Sequence, residues 1–148
     1  MADRNSELQN WLTDILNTSN FNLRSASEDA SFRTYHRLFL KNKTFIVMDA
    51  PPEQENCKSF IKITKKLHAC NANAPVIHDV NIEQGFLLLS DLGDDLYLDK
   101  LNDGSIYDLY SDAINALVNI QNLANVGGLD EYDKNLLSNE MDLFTEWL

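Results

Sequence analysis

The sequence changes character at Asp91-Leu-Gly-Asp-Asp95, and no other feature limits its possible folds as much. Before that point most apolar runs are short and carry β-branched or aromatic residues; beyond it, apolar residues recur at helical spacing. A chain of 148 residues with one such break suits a single domain, or one lobe joined to part of a second.

Upstream of the break, residues 6–16 read as an amphipathic helix: Leu8, Trp11, Leu12, Ile15 and Leu16 share a face, and Ser6-x-x-Gln9 resembles a capping box. Residues 21–25, 32–40 and 44–48 read as strands. The Lys41-Asn-Lys43 turn makes the last two an antiparallel hairpin. Pro51-Pro52 rules out a longer strand and suits a helix start. The helix expected over 53–68 gathers Cys57, Phe60, Ile61, Thr64 and Leu67 on one face. Glu53 and Glu55 fall in its first turn and Lys62, Lys65 and Lys66 near its end, as its dipole prefers. Two more strands, 76–79 and 85–90, complete a β-β-β-α-β-β order.

Downstream, residues 105–123 place Ile106, Leu109, Tyr110, Ala113, Leu117 and Ile120 on one face. Ile114 and Val118 widen it, which predicts a helix packed on two sides. Gly127-Gly128 ends that stretch. A further helical pattern holds Leu136, Leu137, Met141, Leu143, Phe144 and Trp147, and the apolar face is unfinished at Leu148.

Charge divides at the same place. Residues 1–90 carry ten acids and ten bases; residues 91–148 carry thirteen acids against Lys100 and Lys134 alone. An acidic surface repels phosphate backbones, so a nucleic-acid partner is not expected. The longest apolar run, over residues 85–90, is too short to span a bilayer, and no secretory signal pattern opens the chain. Cys57 and Cys70 match no zinc spacing and read as core thiols of a cytoplasmic protein.

Local sequence adds a resemblance. Asp29-Ala-Ser-Phe-Arg-Thr-Tyr-His-Arg-Leu38 resembles the phosphate-loop and second-strand segment of aminoglycoside-phosphotransferase-like enzymes, within the protein-kinase-like superfamily. Ile46-Val-Met-Asp-Ala-Pro-Pro-Glu53 and Gly85-Phe-Leu-Leu-Leu-Ser-Asp-Leu-Gly93 are similar to the third strand and hinge of one branch, the anomeric sugar kinases acting on N-acetylmuramate and N-acetylglucosamine. Leu136-Leu-Ser-Asn-Glu-Met-Asp-Leu-Phe-Thr-Glu-Trp147 resembles the segment leading into their large lobe. The resemblance implies an α+β fold: a kinase-like small lobe with a five-stranded antiparallel sheet and a helix over residues 1–90, a hinge over 91–95, and the first helices of an α-rich large lobe over 96–148. It implies ATP between the lobes, adenine on the hinge and phosphates under the first hairpin. It also implies a large-lobe His-Gly-Asp-type loop, whose Asp aligns the acceptor hydroxyl, and Mg2+ held by an Asn and a second Asp. His36, His68 and His78 open no His-x-Asp sequence, so no catalytic residue is assigned and a chain ending at Leu148 is expected to be inactive.

On this resemblance Ser31 meets the phosphates with Phe32 and Arg33 beside it, although a plain hairpin turn with a solvated Arg33 fits the same residues. Met48 stands at or near the usual strand lysine, which leaves Arg33 or a lysine of the following helix to supply the charge. Glu53 and Glu55 are then helix-start acids rather than partners of a lysine. Backbone groups of Leu89, Ser90, Asp91 and Leu92 suit the edge of a base, with Ile46 and Leu89 as apolar walls. Asp94, Asp95 and Asp99 are better read as a solvated helix start than as a magnesium cage, which needs several convergent oxygens. Glu140 is assigned to the acceptor side with Asp142 near it, and two of Tyr107, Tyr110 and Trp147 are assigned to the core. The expected partners are a nucleotide and a small-molecule acceptor, with no membrane, and with self-association through exposed helices. Two rivals remain open: a kinase for an aminoglycoside, choline or homoserine-like acceptor, and a non-enzymatic acidic interaction module docking through its last helix.

Overall fold

A computed structural model describes residues 3–28, 32–124, 127–129 and 131–147. Helix α1, Arg4–Leu16, leads into β1 (Asn22–Glu28), β2 (Thr34–Leu40) and β3 (Lys43–Asp49). Helix α2, Cys57–Ala69, precedes β4 (Ile77–Asn81) and β5 (Phe86–Ser90), and α3 (Tyr97–Lys100), α4 (Ile106–Leu123) and α5 (Lys134–Trp147) follow. The strands form one five-stranded sheet in the order β1-β2-β3-β5-β4, antiparallel throughout. The expected α+β small-lobe architecture is present.

Alternation along the strands assigns each side chain to a face. Leu38, Val47, Phe86 and Leu88 pack with Leu8, Trp11 and Leu12 of α1. Met48, Leu87 and Leu89 pack with Cys57 on the other face, with Tyr35, Ile46, Phe60 and Ile61 beside them. Strand β5 lies inside the sheet and is covered on both faces, hence its unbroken apolar run. Arg4 fastens α1 to the end of β3 and the start of β5: its Nε donates to Asp49 Oδ1 at 2.8 Å, a second nitrogen donates to the Gln84 carbonyl at 2.8 Å, and the guanidinium lies 4.7 Å from the Phe86 ring centroid. Asp49 is therefore committed to α1.

Local chemistry moves several boundaries. Asp3, not Ser6, caps α1, its carboxylate accepting from the Asn5 N–H at 2.9 Å. Strand β1 runs past residue 25 because the register shifts between Ser25 and Ser27 and pairing then resumes. The expected helix start at residue 53 is corrected to Cys57. Pro51 instead heads a turn, its carbonyl accepting from Gln54 and Glu55, and the Asn56 side chain caps the helix through the Lys58 N–H at 3.0 Å. Glu53 and Glu55 thus lie outside α2. Gly85, at φ 74°, is required where β5 begins: an added Cβ would sit 1.9 Å from the Ala50 carbonyl oxygen, and the Ala50 N–H donates to the Gly85 carbonyl at 2.9 Å.

The helical part is packed differently. Helix α4 forms where expected, yet none of its residues is buried. Packing on two sides is corrected accordingly: Ile106, Tyr110, Ile114, Leu117 and Val118 are exposed, and Leu109, Ala113 and Ile120 are only half-buried. Tyr107 and Tyr110 are exposed too, so the expectation that two of Tyr107, Tyr110 and Trp147 lie in the core is corrected; the side chain of Trp147 lies outside the described residues. Polar ties attach this part to α2, whose Lys62 and Lys66 donate to the carbonyls of Gly128 and Gly127. Among the described residues no helix is long and apolar enough to cross a membrane.

Candidate functional site

Where β5 gives way to the helical part, a cavity of about 600 Å³ opens on the α2 face of the sheet. Its apolar wall is made by Ile46, Leu89 and Phe60, and its rim by Asp91, Leu92, Gly93 and Asp94 of the connecting segment. Tyr35 and Arg37 of β2 close the far side. Pairing explains the convergence: Arg37 lies opposite Ile46, and Ile46 opposite Leu89, so the three form one row across β2, β3 and β5.

An ion cluster holds the rim. The Arg37 guanidinium donates to both carboxylate oxygens of Asp94, at 2.6 Å each, and to Asp91 Oδ1 at 3.2 Å. Its Nε lies 2.8 Å from Asp91 Oδ2, outside hydrogen-bond alignment. Asp91 Oδ1 also accepts from the Gly93 N–H at 2.9 Å, which turns the chain sharply there. Hydrogen bonding to Asp94 chiefly, and to Asp91, raises the Arg37 pKa against the opposing effect of burial. Burial acts to raise Asp91, but the Gly93 N–H, the Thr44 hydroxyl and Arg37 outweigh it and its pKa is lowered; Asp94 is lowered chiefly by its hydrogen bond to Arg37. Asp94 is therefore solvated, as expected, but it is ion-paired to Arg37 and lies ahead of α3 rather than at its start. Asp95 pairs instead with Lys100 at 2.8 Å, and α3 begins only at Tyr97.

The opposite end of β2 carries a second pair. Arg33 lies 2.8 Å from Glu55 Oε2, and the Phe32 N–H donates to Glu55 Oε1 at 3.3 Å. Glu55 is thus the partner of a cation rather than a helix-start acid, and Arg33 is ion-paired rather than simply solvated. Contact with Glu55 raises the Arg33 pKa although burial opposes it. Met48 is fully buried on the face that carries Tyr35 and Leu89, so an apolar side chain occupies the place where a strand lysine was expected.

The chain matches the phosphotransferase enzyme family over residues 22–147. It belongs to that family. An N-acetylmuramate/N-acetylglucosamine kinase of Pseudomonas putida is 46% identical over 125 residues, which cover 84% of this chain and 37% of that kinase. The kinase of the same name from Pseudomonas aeruginosa is 43% identical over 122 residues, 82% of this chain and 36% of its own length. A third, from Neisseria meningitidis serogroup B, is 32% identical over 149 residues, 97% of this chain and 44% of that kinase. The chain thus spans less than half the length of these relatives.

In this member of the family the residues singled out from sequence fall into three groups. Ile46, Leu89, Asp91 and Leu92 meet around the cavity. Ser90 alternates to the other face, opposite Phe45, and its hydroxyl accepts from the Val76 N–H at 2.8 Å while its own N–H donates to the Val76 carbonyl at 2.8 Å. Phe32 and Arg33 do not line the cavity, Ser31 lies outside the described residues, and Glu140 is exposed on α5. Sequence reading missed Tyr35, Arg37 and Phe60. The signal for the first two was available, since period two puts residues 33, 35 and 37 on one face, that of Met48. Among the described residues no cluster of His, Cys, Asp or Glu is arranged to hold a metal ion. Cys57 and Cys70 are both buried, and burial pushes the Cys57 thiol pKa up, as suits core cysteines.

Proposed function

We propose that this chain is the nucleotide-binding part of an ATP-dependent kinase that phosphorylates a hydroxyl of an amino-sugar such as N-acetylmuramate or N-acetylglucosamine, in cell-wall recycling in the cytoplasm. One observation carries the reading: the cavity at the end of β5 has an apolar wall from Ile46 and Leu89 and a backbone rim at Asp91 and Leu92, in a member of the phosphotransferase family. Such a slot suits a purine, flat and apolar on its faces and polar at its edge. Residues 1–90 then act as the small lobe, 91–95 as the hinge and 96–148 as the start of the large lobe. Phosphates would run from the slot toward Ser31, Phe32 and Arg33, with Arg33 as the cation in the absence of a lysine at Met48.

The described residues do not fit a magnesium site, so no step is assigned to the metal in this chain. In the relatives more than half the length lies outside the match. We assign the catalytic Asp and the magnesium ligands to a large-lobe segment not contained in these 148 residues. With one wall of the cleft missing, the chain alone binds ATP weakly and self-associates through its uncovered helices. Tight, magnesium-dependent binding in isothermal titration would contradict that.

One feature favours a different acceptor. Residues 91–148 are strongly acidic, which suits a cationic substrate such as an aminoglycoside or choline, or a homoserine-like one. A panel of acceptors offered to a protein that includes the large lobe, scored for ATP consumption, separates the readings. Turnover of the two amino-sugars alone is expected. Turnover confined to the cationic acceptors overturns the acceptor class, and no ATP consumption with any of them overturns the kinase reading.

A further inference from the structure

Arg37 is the residue of this cavity that neither the apolar wall nor the phosphate end accounts for. It sits in mid-sheet, opposite Ile46, yet its guanidinium reaches the connecting segment and grips two carboxylates there. The two are unlike. Asp94 is 79% exposed, and a pair so open to water contributes little to stability. Asp91 is 8% exposed and is held from three directions, by Arg37, Thr44 and the Gly93 N–H. A two-point fork on a carboxylate as exposed as Asp94, made by the same guanidinium that grips the largely buried Asp91, points to orientation as a task of this cluster. Both anchors bracket Leu92 and Gly93, the backbone that edges the cavity.

We propose that Arg37 is the positioning residue of the base slot: by gripping Asp91 and Asp94 together it holds the Leu92–Gly93 backbone beside the Ile46 and Leu89 wall before a nucleotide arrives. The inference rests on the nucleotide reading above and adds to it that the slot is formed in advance, so that base binding is spared the cost of ordering the hinge. Arg37 is not the phosphate cation. It stands in the middle of β2, four residues beyond Arg33, and its fork is already filled by carboxylates.

The test compares the wild-type chain with Arg37→Met and Arg37→Lys in two measurements. Amide hydrogen exchange at Leu92 and Gly93, without nucleotide, reads the latch; NMR titration with adenosine and separately with ATP reads its use. In Arg37→Met, exchange at both amides is expected to rise about tenfold, and adenosine and ATP to weaken by the same factor of about ten. Arg37→Lys keeps the charge without the fork and falls between. Loss of ATP affinity with adenosine unchanged would move Arg37 to the phosphates and overturn the proposal. Unchanged exchange and unchanged affinity for both ligands in Arg37→Met would overturn it while leaving the nucleotide reading intact. A wild-type chain that binds neither ligand removes the nucleotide reading itself and the base slot with it. Should Arg37→Met fail to fold, as circular dichroism would show, Arg37→Lys decides by the same criteria, wild-type values in every measurement being the overturning result.

Discussion

The strand-rich part and the helical part of this chain show similarly clear apolar periodicity, and only the first buries it. Phe86, Leu87, Val47 and Met48 are fully enclosed between α1 and α2, whereas Leu117, Tyr110 and Ile114 repeat at helical spacing on an open face. Periodicity thus reports which face a residue shares, and burial depends on whether another element lies against that face. The contrast carries into chemistry. The cavity draws its walls from the closed part, and the helical part contributes only rim residues near its beginning.

The largest test of this contrast is a pair of truncations. Phe86→Ala removes a fully buried ring that lies 5.6 Å from Trp11 and under Arg4, and should cost about 3–5 kcal/mol in urea unfolding. Leu117→Ala, at a position 58% exposed, should cost less than about 0.5 kcal/mol at low protein concentration. Equal losses would show that the α4 face is covered in solution. Two glycines extend the comparison at smaller scale. Both have φ of 74°, but a Cβ at Gly85 meets the Ala50 carbonyl oxygen, whereas one at Gly128 meets the flexible end of Lys62 at 3.2 Å. Gly85→Ala should therefore lose about 3 kcal/mol and Gly128→Ala about 1 kcal/mol.

How much of this was legible in the sequence follows from the range of each interaction. The five strands, their hairpin and the helical stretches are short-range patterns, and they stand where apolar spacing and turn residues put them. Boundaries depend on single hydrogen bonds. That Asn56 rather than the proline pair would begin α2 rests on one side chain reaching the Lys58 N–H. The site was half legible: Ile46, Leu89, Asp91 and Leu92 lie along two strands and their exits, where alternation predicts a shared face. For Arg37 alternation gave the face but not the role, because its partners are 54 and 57 residues away and nothing local to β2 announces them. Glu55 was misread for the same reason, its partner Arg33 lying 22 residues back.

The open face should also show itself as association. With Leu117, Val118 and Ile114 exposed together, the chain is expected to form concentration-dependent oligomers in sedimentation velocity. Leu117→Asp, which places a charge at the centre of that face, should weaken the association about tenfold or more, equivalent to about 1.4 kcal/mol. A Val80→Asp control, at an exposed position on β4, should leave it unchanged. Equal weakening by both would mean that charge rather than the α4 face governs assembly, and a strictly monomeric wild type would remove the difference in the chain's two halves as a property of the molecule in solution.

The smallest effect lies where the two parts meet. Asp91 and Asp94 both titrate below the ordinary carboxylate value of 3.8 in the folded chain, so the stability they contribute is complete above about pH 5 and fades as pH falls through their folded values. Arg37 stays charged across that range and adds no pH dependence of its own. NMR titration of the two carboxyl groups should therefore give midpoints below 3.8 for both in the wild type. Arg37→Met should separate them. Asp94 owes its lowered value to Arg37 and should return to the ordinary value, whereas Asp91 keeps the Gly93 N–H and the Thr44 hydroxyl and should rise by less. The difference between those two rises measures how firmly the rim belongs to the sheet independently of Arg37. Equal rises would mean that Arg37 governs both carboxylates alike and that the Gly93 N–H and Thr44 hydroxyl do not hold Asp91 on their own.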